Sequence, residues 1–456
     1  MKKFAGALAY YPARALTLWY GVLVILGTGL LMLPASRLPD VPALSLTDAL
    51  FMATSAACVT GLVVRDVAEF SVLGQGVILV LIQLGGIGIM TLATLVVIQL
   101  TGRQSLRHLV LARESLGLEI HEDVGRLLGR VVGACFVFET IGALALTISR
   151  AQETTLTEAA WWGVFHAVSA FCNAGFALSP QNLAPWAGSA SVCCVIIALV
   201  VLGGLGFPVL VDLFSRRLHR WPFRWRDLHF HSQLVLIASA ILLSVGTLFI
   251  FQLERHHALA DMDTGQAVMA SLFHSASART AGFSTLDIGS LGNATLFLLV
   301  LLMWVGGGPG SAAGGVKVTT ATALVVYGLA RIRGSAEAAL FRHRLPAEAV
   351  ASAAVVVIVS VAMIVTALLL LLTFEQAAPP HNGGDGFMDA TFEIFSAFGT
   401  VGLSTGTTRE LGDQGRWVVT ATMFLGRIGP LVLVTLLTTP RRGPEIRHPE
   451  AEIHIG

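Results

Sequence analysis

Four times along this chain, a long apolar run is followed by a short semi-apolar segment ending on a glycine. A second long apolar run with its own glycine cluster then follows. The short segments read FMATSAACVTGL, FHAVSAFCNAGF, FHSASARTAGF and FEIFSAFGTVGL, with loop glycines Gly61, Gly175, Gly282 and Gly402. Each is too short to cross a bilayer, which takes roughly 20 apolar residues as a helix. The clusters that follow are GGIG at Gly85–Gly88, GGLG at Gly203–Gly206, GGGP at Gly306–Pro309 and GRIG at Gly426–Gly429. Two motifs in a fixed order, four times over, make the chain a tandem array, and such periodicity has to be settled before any local reading.

Composition fits a chain built mostly for lipid. Of 456 residues, 55% are apolar and 12% charged, against about 25% charged in soluble domains. Eight spanning helices are expected, near 15–34, 75–100, 128–149, 189–214, 232–253, 293–330, 348–374 and 416–438. The connections after the second, fourth and sixth are basic: Arg103, Arg107 and Arg113; Arg216, Arg217, Arg220, Arg224 and Arg226; Arg331, Arg333, Arg342 and Arg344. Both ends are basic too, with Lys2 and Lys3 at one and Arg441, Arg442 and Arg447 at the other. Positive charge marks the cytoplasmic side, so both termini are expected in the cytoplasm and the membrane is expected to be the cell's inner (plasma) membrane. Met1 to Lys3 lead into the first run without a small-residue cleavage site, so the first helix is expected to be retained. The expected fold is an all-α integral membrane protein. It has four tandem helix–pore loop–helix repeats (1–102, 103–226, 227–340 and 341–440) around one central pore, and a cytoplasmic tail at 441–456.

Backbone without helical hydrogen bonds cannot face lipid, but it can line a water-filled cavity. Four re-entrant loops satisfy that rule by converging on one axis, where their carbonyl oxygens replace the water around a dehydrated cation. Glycine permits the backbone angles that turn carbonyls inward, and the short helices aim their negative C-terminal ends at the axis. Thr60, Ala174, Ala281 and Val401 precede the glycines, so no carboxylate ring is present and potassium is the expected ion. The expected filter is Val59, Thr60 and Gly61; Asn173, Ala174 and Gly175; Thr280, Ala281 and Gly282; and Thr400, Val401 and Gly402. For the clusters on the following helices, close helix packing by small residues is the simpler reading.

CVTGL at Cys58–Leu62, NAGF at Asn173–Phe176, RTAGF at Arg279–Phe283 and TVGLS at Thr400–Ser404 resemble the pore loops of the Trk/Ktr/HKT superfamily of potassium transporters, across nearly the whole chain. With no further spanning helix before the first repeat, the chain looks most like the membrane subunit of the Ktr branch. The resemblance implies a homodimer with one pore per subunit and a separate cytoplasmic, KtrA-like nucleotide-binding ring that regulates opening. It also implies that serine in the first loop goes with sodium passage, so Gly61 favours potassium. Stimulation by sodium is suggested by the resemblance alone.

The sixth helix is expected to break at 306–316, GGGPGSAAGGV, because Gly and Pro disfavour helix interiors. It resembles the family's intramembrane gating loop, formed here by Gly306, Gly307, Gly308, Pro309, Gly310, Ser311, Gly314 and Gly315. Gly308 and Ala312 stand where the family has Ser and Thr, so hydroxyl hydrogen bonds are missing there. A plain kink is the alternative. Lys317 either snorkels to the inner interface or belongs to the gate. Arg427, within the expected last span, resembles the family's pore-facing arginine below the filter; a charge at that depth usually faces a cavity or partner. Asp66 and Asp287 are placed to concentrate cations at the outer mouth, or are ordinary loop charges. Glu139 and Asp212 read as interhelical pairing residues, and His166 and His274 as packing residues.

No metal-ligand spacing or nucleophile motif points to an enzyme, and the five cysteines read as packing thiols. The glycine-rich 306–316 stretch lacks the G-K-[ST] of a phosphate loop, so no nucleotide is expected on this chain, nor a nucleic-acid partner. The arginine-rich faces suit the regulatory ring or anionic lipid. A sodium- or proton-coupled secondary carrier is the rival reading. Such carriers usually pair inverted repeats, whereas these four run in one orientation.

Overall fold

In a computed structural model, residues 12–102, 124–214, 225–335, 337–375 and 386–429 are described. Lys2, Lys3, the arginines at 103–113 and 216–224, and those beyond 440 lie outside the described residues. Within them the chain is mostly helical. The helices are α1 (Pro12–Leu31), α2 (Leu46–Ala57), α3 (Val72–Gly102), α4 (Val124–Arg150), α5 (Leu156–Phe171), α6 (Ala190–Leu205), α7 (Phe207–Phe214), α8 (Phe230–Glu254), α9 (Thr264–Ser277), α10 (Asn293–Trp304), α11 (Val318–Ile332), α12 (Ala347–Phe374), α13 (Gly386–Gly399), α14 (Thr407–Glu410) and α15 (Asp413–Ile428). Four described helices are long and apolar enough to cross a bilayer, or five when the bent pair α6–α7 counts as one span.

The short helices start where local chemistry dictates. Ser45 caps α2 by accepting the Asp48 amide, and Asp263 caps α9 by accepting the Gln266 amide. Thr155 and Glu158 form a reciprocal capping box on α5. Such side chains satisfy amides that the helix cannot. Each short helix then packs into buried apolar clusters, with Phe51, Phe165, Phe273 and Phe392 almost inaccessible.

Three expected runs depart from straight spans. The 189–214 run bends by 104° at Gly206, whose φ of 93° is open mainly to glycine. The 293–330 run breaks between Trp304 and Val318. The 416–438 run stops at Ile428, where Gly429 at φ 86° caps α15; residues from 430 on are outside the described set. The final glycine of the cluster therefore ends a helix in the second and fourth repeats, whereas Gly88 stays inside α3. A small antiparallel hairpin, β1 (Ala339–Leu340) and β2 (His343–Arg344), adds strand to an expected all-α fold. Its turn residues Phe341 and Arg342 both have positive φ, the geometry of a tight two-residue turn.

Candidate functional site

The four loop glycines form a closed ring. A Cβ built on Gly61 would stand 3.2 Å from Gly175 Cα, and one on Gly175 would stand 2.7 Å from Gly282 Cα. On Gly282 it would lie 3.1 Å from Gly402 Cα, and on Gly402 it would lie 2.9 Å from Gly61 Cα. In each case the atom met first is a neighbour's backbone carbonyl oxygen: Ala174, Ala281, Val401 and Thr60 in turn. All four glycines have positive φ, between 68° and 100°. So do the residues two places earlier, Val59, Asn173, Thr280 and Thr400, at 48° to 74°. Left-handed backbone at a β-branched residue is costly and is held only where surrounding structure enforces it. Here it recurs at the same place in three loops, at Val59, Thr280 and Thr400, and the second loop has Asn173, a residue that tolerates this region, in the same conformation.

Serines in the short helices hold the loops from behind. Ser55 Oγ accepts the Gly61 amide and Ser396 Oγ accepts the Gly402 amide, each at 3.1 Å. In the other two loops, where phenylalanine follows the glycine, the serine bonds one residue further on. Ser169 donates to the Phe176 carbonyl at 2.8 Å, and Ser277 donates to that of Phe283. The glycine clusters serve close approach: side chains at Gly85, Gly203 and Gly426 would strike the Ala57, Phe171 and Phe398 carbonyls at the ends of the short helices. The packing reading of those three therefore fits the structure.

Polar side-chain atoms in the loops are left over by the protein's own hydrogen bonding. The hydroxyls of Thr60, Thr280 and Thr400 and the Asn173 amide are buried without a protein hydrogen-bond partner. Such groups normally find one. Above the ring opens a cavity of about 610 Å³, lined by all four glycines together with Asp66, Asn182, Asp287, Arg409 and Glu410.

Beneath the fourth loop lies the 305–317 segment. Gly314 leaves no room for a side chain against Thr400 Oγ1 and the Gly399 carbonyl. The segment folds back on itself, with the Gly306 amide donating to Val316 O at 2.9 Å and the Val316 amide to Trp304 O at 3.2 Å. It also docks on the α6–α7 bend: Gly308 N–H donates to Gly204 O at 2.8 Å, Ala312 N–H to Gly203 O at 3.3 Å, and Phe207 N–H to Gly310 O at 3.1 Å. Any side chain at Gly308 would overlap the Leu205 carbonyl, which accounts for glycine in place of a hydroxyl residue.

Arg427, in the last turn of α15, is 2% exposed. It donates to the Ala312 carbonyl, to Tyr20 Oη at 3.1 Å and to Gly85 O at 3.3 Å. Tyr20 in turn donates to Gly85 O at 2.8 Å. One guanidinium thus joins α15, α1, α3 and the 305–317 segment. Lys317 stands at the N-cap position of α11 without a side-chain capping bond, and its Nζ turns back to donate to Ala313 O at 2.6 Å.

Residues 22–441 match the family described as TrkH, cation transport protein. The chain belongs to the TrkH family of cation transport proteins. It is 36% identical to Ktr system potassium uptake protein B of Bacillus subtilis, over 98% of this chain and 97% of that protein. It is 35% identical to the protein of that name from Vibrio alginolyticus, over 93% and 92%. Potassium/sodium uptake protein NtpJ of Enterococcus hirae is 33% identical, over 98% and 97%. The crystal structure of the potassium transporter TrkH from Vibrio parahaemolyticus superposes with a TM-score of 0.73 at 20% identity, covering 92% of this chain and 83% of that one. That likeness is one of fold.

In this TrkH-family chain the acidic residues expected at the mouth do line the cavity, but they are not free carboxylates. Asp66 pairs with Arg409, and Asp287 accepts the Gly289 amide at 3.1 Å. Burial pushes the Asp66 carboxyl above its ordinary range while Arg409 pulls it back. Glu139 takes both oxygens to Gln83 Nε2, at 3.0 and 2.9 Å. Asp212 accepts from the His229 ring at 2.7 Å and from its amide at 2.9 Å. Four cysteines are buried; Cys194 is exposed on its helix. Two residues went unmarked in the sequence. Tyr20 sits in an apolar run like any interfacial aromatic. Asn182, in a polar loop, donates to the Gly175 and Gly282 carbonyls at 3.4 Å each and accepts the Ser284 amide.

Proposed function

We propose that the chain is a potassium uptake protein with a channel-like pore, made of four helix–pore loop–helix repeats with both termini in the cytoplasm. The closed ring of Gly61, Gly175, Gly282 and Gly402, with a carbonyl at every junction, carries this reading. Backbone carbonyls substitute for a cation's hydration shell without a carboxylate ring. The filter is Val59–Gly61, Asn173–Gly175, Thr280–Gly282 and Thr400–Gly402, with K+ as the transported ion. The gate is the 306–315 segment with Lys317 and Arg427: a guanidinium bound to Ala312 holds the segment beneath the filter, and its charge opposes cation passage.

Relatives named as protein B of a Ktr system support a further subunit of that system, read here as a KtrA-like cytoplasmic nucleotide-binding ring acting on a homodimer of this chain. A relative named for potassium and sodium together keeps sodium in view as a second ion or a stimulating one. The test is growth and uptake at low potassium in cells lacking other potassium systems, with a partner ring co-expressed. The wild type should restore uptake. Gly61→Ser should weaken discrimination against sodium, because its Cβ would push the Ala174 carbonyl out of the ring. No potassium movement by the wild type would refute the assignment. Rates in a reconstituted system separate a pore from a sodium- or proton-coupled carrier, which turns over far more slowly.

A further inference from the structure

One position recurs behind the loops. About two helical turns before the loop glycine, the short helices carry Met52, His166, His274 and Glu393. Apart from Met52, each reaches over its loop to the chain beyond the glycine. His166 Nδ1 bonds Trp162 O at 2.8 Å, which leaves Nε2 to accept the Leu178 amide at 3.4 Å. His274 bonds Ala270 O at 2.9 Å, with Nε2 3.3 Å from Ser284 Oγ. Glu393 is 0% exposed and accepts from the hydroxyls of Ser404 and Thr408, the latter at 2.7 Å. Ser404 Oγ in turn accepts the Gly406 amide at 3.0 Å, and a Thr408–Ser404 hydroxyl contact at 3.0 Å closes the network.

A carboxylate fully buried at this depth is expensive, and its oxygens are spent on hydroxyls rather than on a cation. An apolar isostere would be cheaper if packing were all that mattered. The second and third loops have another tether in Asn182, which bonds both their glycine carbonyls. For the chain just past Gly402, the reach from the short helix is through Glu393.

We propose that Glu393 is a positioning residue for ion selectivity: through Ser404 and Thr408 it fixes the fourth loop, and with it the Val401 and Gly402 carbonyls of the ring. This rests on the filter reading above. A loop freed of its brace relaxes toward a smaller ion, so the loss falls on discrimination rather than on passage.

The test measures potassium uptake and its competition by sodium for the wild type, Glu393→Gln, Glu393→Ala and Ser404→Ala, each normalised to protein in the membrane. Glu393→Ala should lower the potassium-to-sodium ratio about tenfold, the scale of one buried hydrogen-bond partner lost. Glu393→Gln can accept one hydroxyl and donate to the other, so it should stay within about twofold of wild type. Ser404→Ala, which keeps the carboxylate and removes one partner, should shift the ratio the same way by less, and it serves if Glu393→Ala fails to insert. An unchanged ratio in Ser404→Ala and in whichever Glu393→Ala protein inserts overturns the proposal. So does a Gln variant as poor as Ala, since the effect would then belong to charge. A wild type that moves no potassium sinks the filter reading instead, and that outcome is separate.

Discussion

At the residue scale, the most connected side chain is Arg427. Its donors are divided among Ala312, Tyr20 and Gly85, on three different stretches of chain. Arg427→Ala should raise uptake in the absence of the activating partner, and Arg427→Lys should recover only part of the restraint. An ammonium is a compact charge and cannot reproduce the planar fork of guanidinium donors. Flux assays in both regulatory states check this; Arg427→Ala rates unchanged from the wild type in both states would count against a gating role. Gly308→Ser offers a second check. Although it restores a hydroxyl, its Cβ meets the Leu205 carbonyl, and it should lower the melting temperature in detergent, by the equivalent of about 1–3 kcal/mol. Sequence patterning exposed the loop glycines because glycine there has a repeated partner motif. Arg427 stood out as a charge in an apolar run. Tyr20 carried no such signal, since only the fold brings it to Arg427. His166 and His274 read as packing residues from their matching places in the short helices, and their bonds to backbone or a hydroxyl beyond the loop become visible only in the fold.

At the element scale, the short helices and the broken run at 306–316 follow from segment length, capping residues and Gly/Pro content. The 104° bend between α6 and α7 does not. GGLG in an apolar run serves equally well for tight packing, and Gly203 uses it so, against the Phe171 carbonyl. Only the docked segment distinguishes Gly206, whose missing side chain admits the Pro309 carbonyl. Gly206→Ala combines a left-handed φ with that overlap and should cost about 1–3 kcal/mol. It should also loosen the 305–317 segment, seen as raised partner-independent flux together with a lower melting temperature. A drop in stability with flux unchanged would separate the bend from the gate.

At the scale of the whole molecule, the ring is not four equal quarters. The second and third loops share Asn182 and serine bonds to phenylalanine carbonyls. The first and fourth share serine bonds to glycine amides and are joined outside the ring by Asp48–Arg416 at 2.6 Å and by Asp66–Arg409. Those two ion pairs tie the start of the chain to its far end. Asp48→Arg should therefore lower the melting temperature by the equivalent of ~1.5–3 kcal/mol, as expected for a largely buried charged hydrogen bond, and adding Arg416→Asp should restore part of the loss. A double-mutant cycle with no coupling would dismiss the closure. Nothing in the sequence spacing announces these pairs, because the partners are hundreds of residues apart. The ring also sets how such a filter can vary. A pore assembled from four identical chains must accept any coding change in all four places at once. On the proposed filter reading, a change at Gly61 leaves Gly175, Gly282 and Gly402 as they were, so ion preference would be adjustable a quarter at a time, with intermediate selectivities that a symmetric assembly would have to skip.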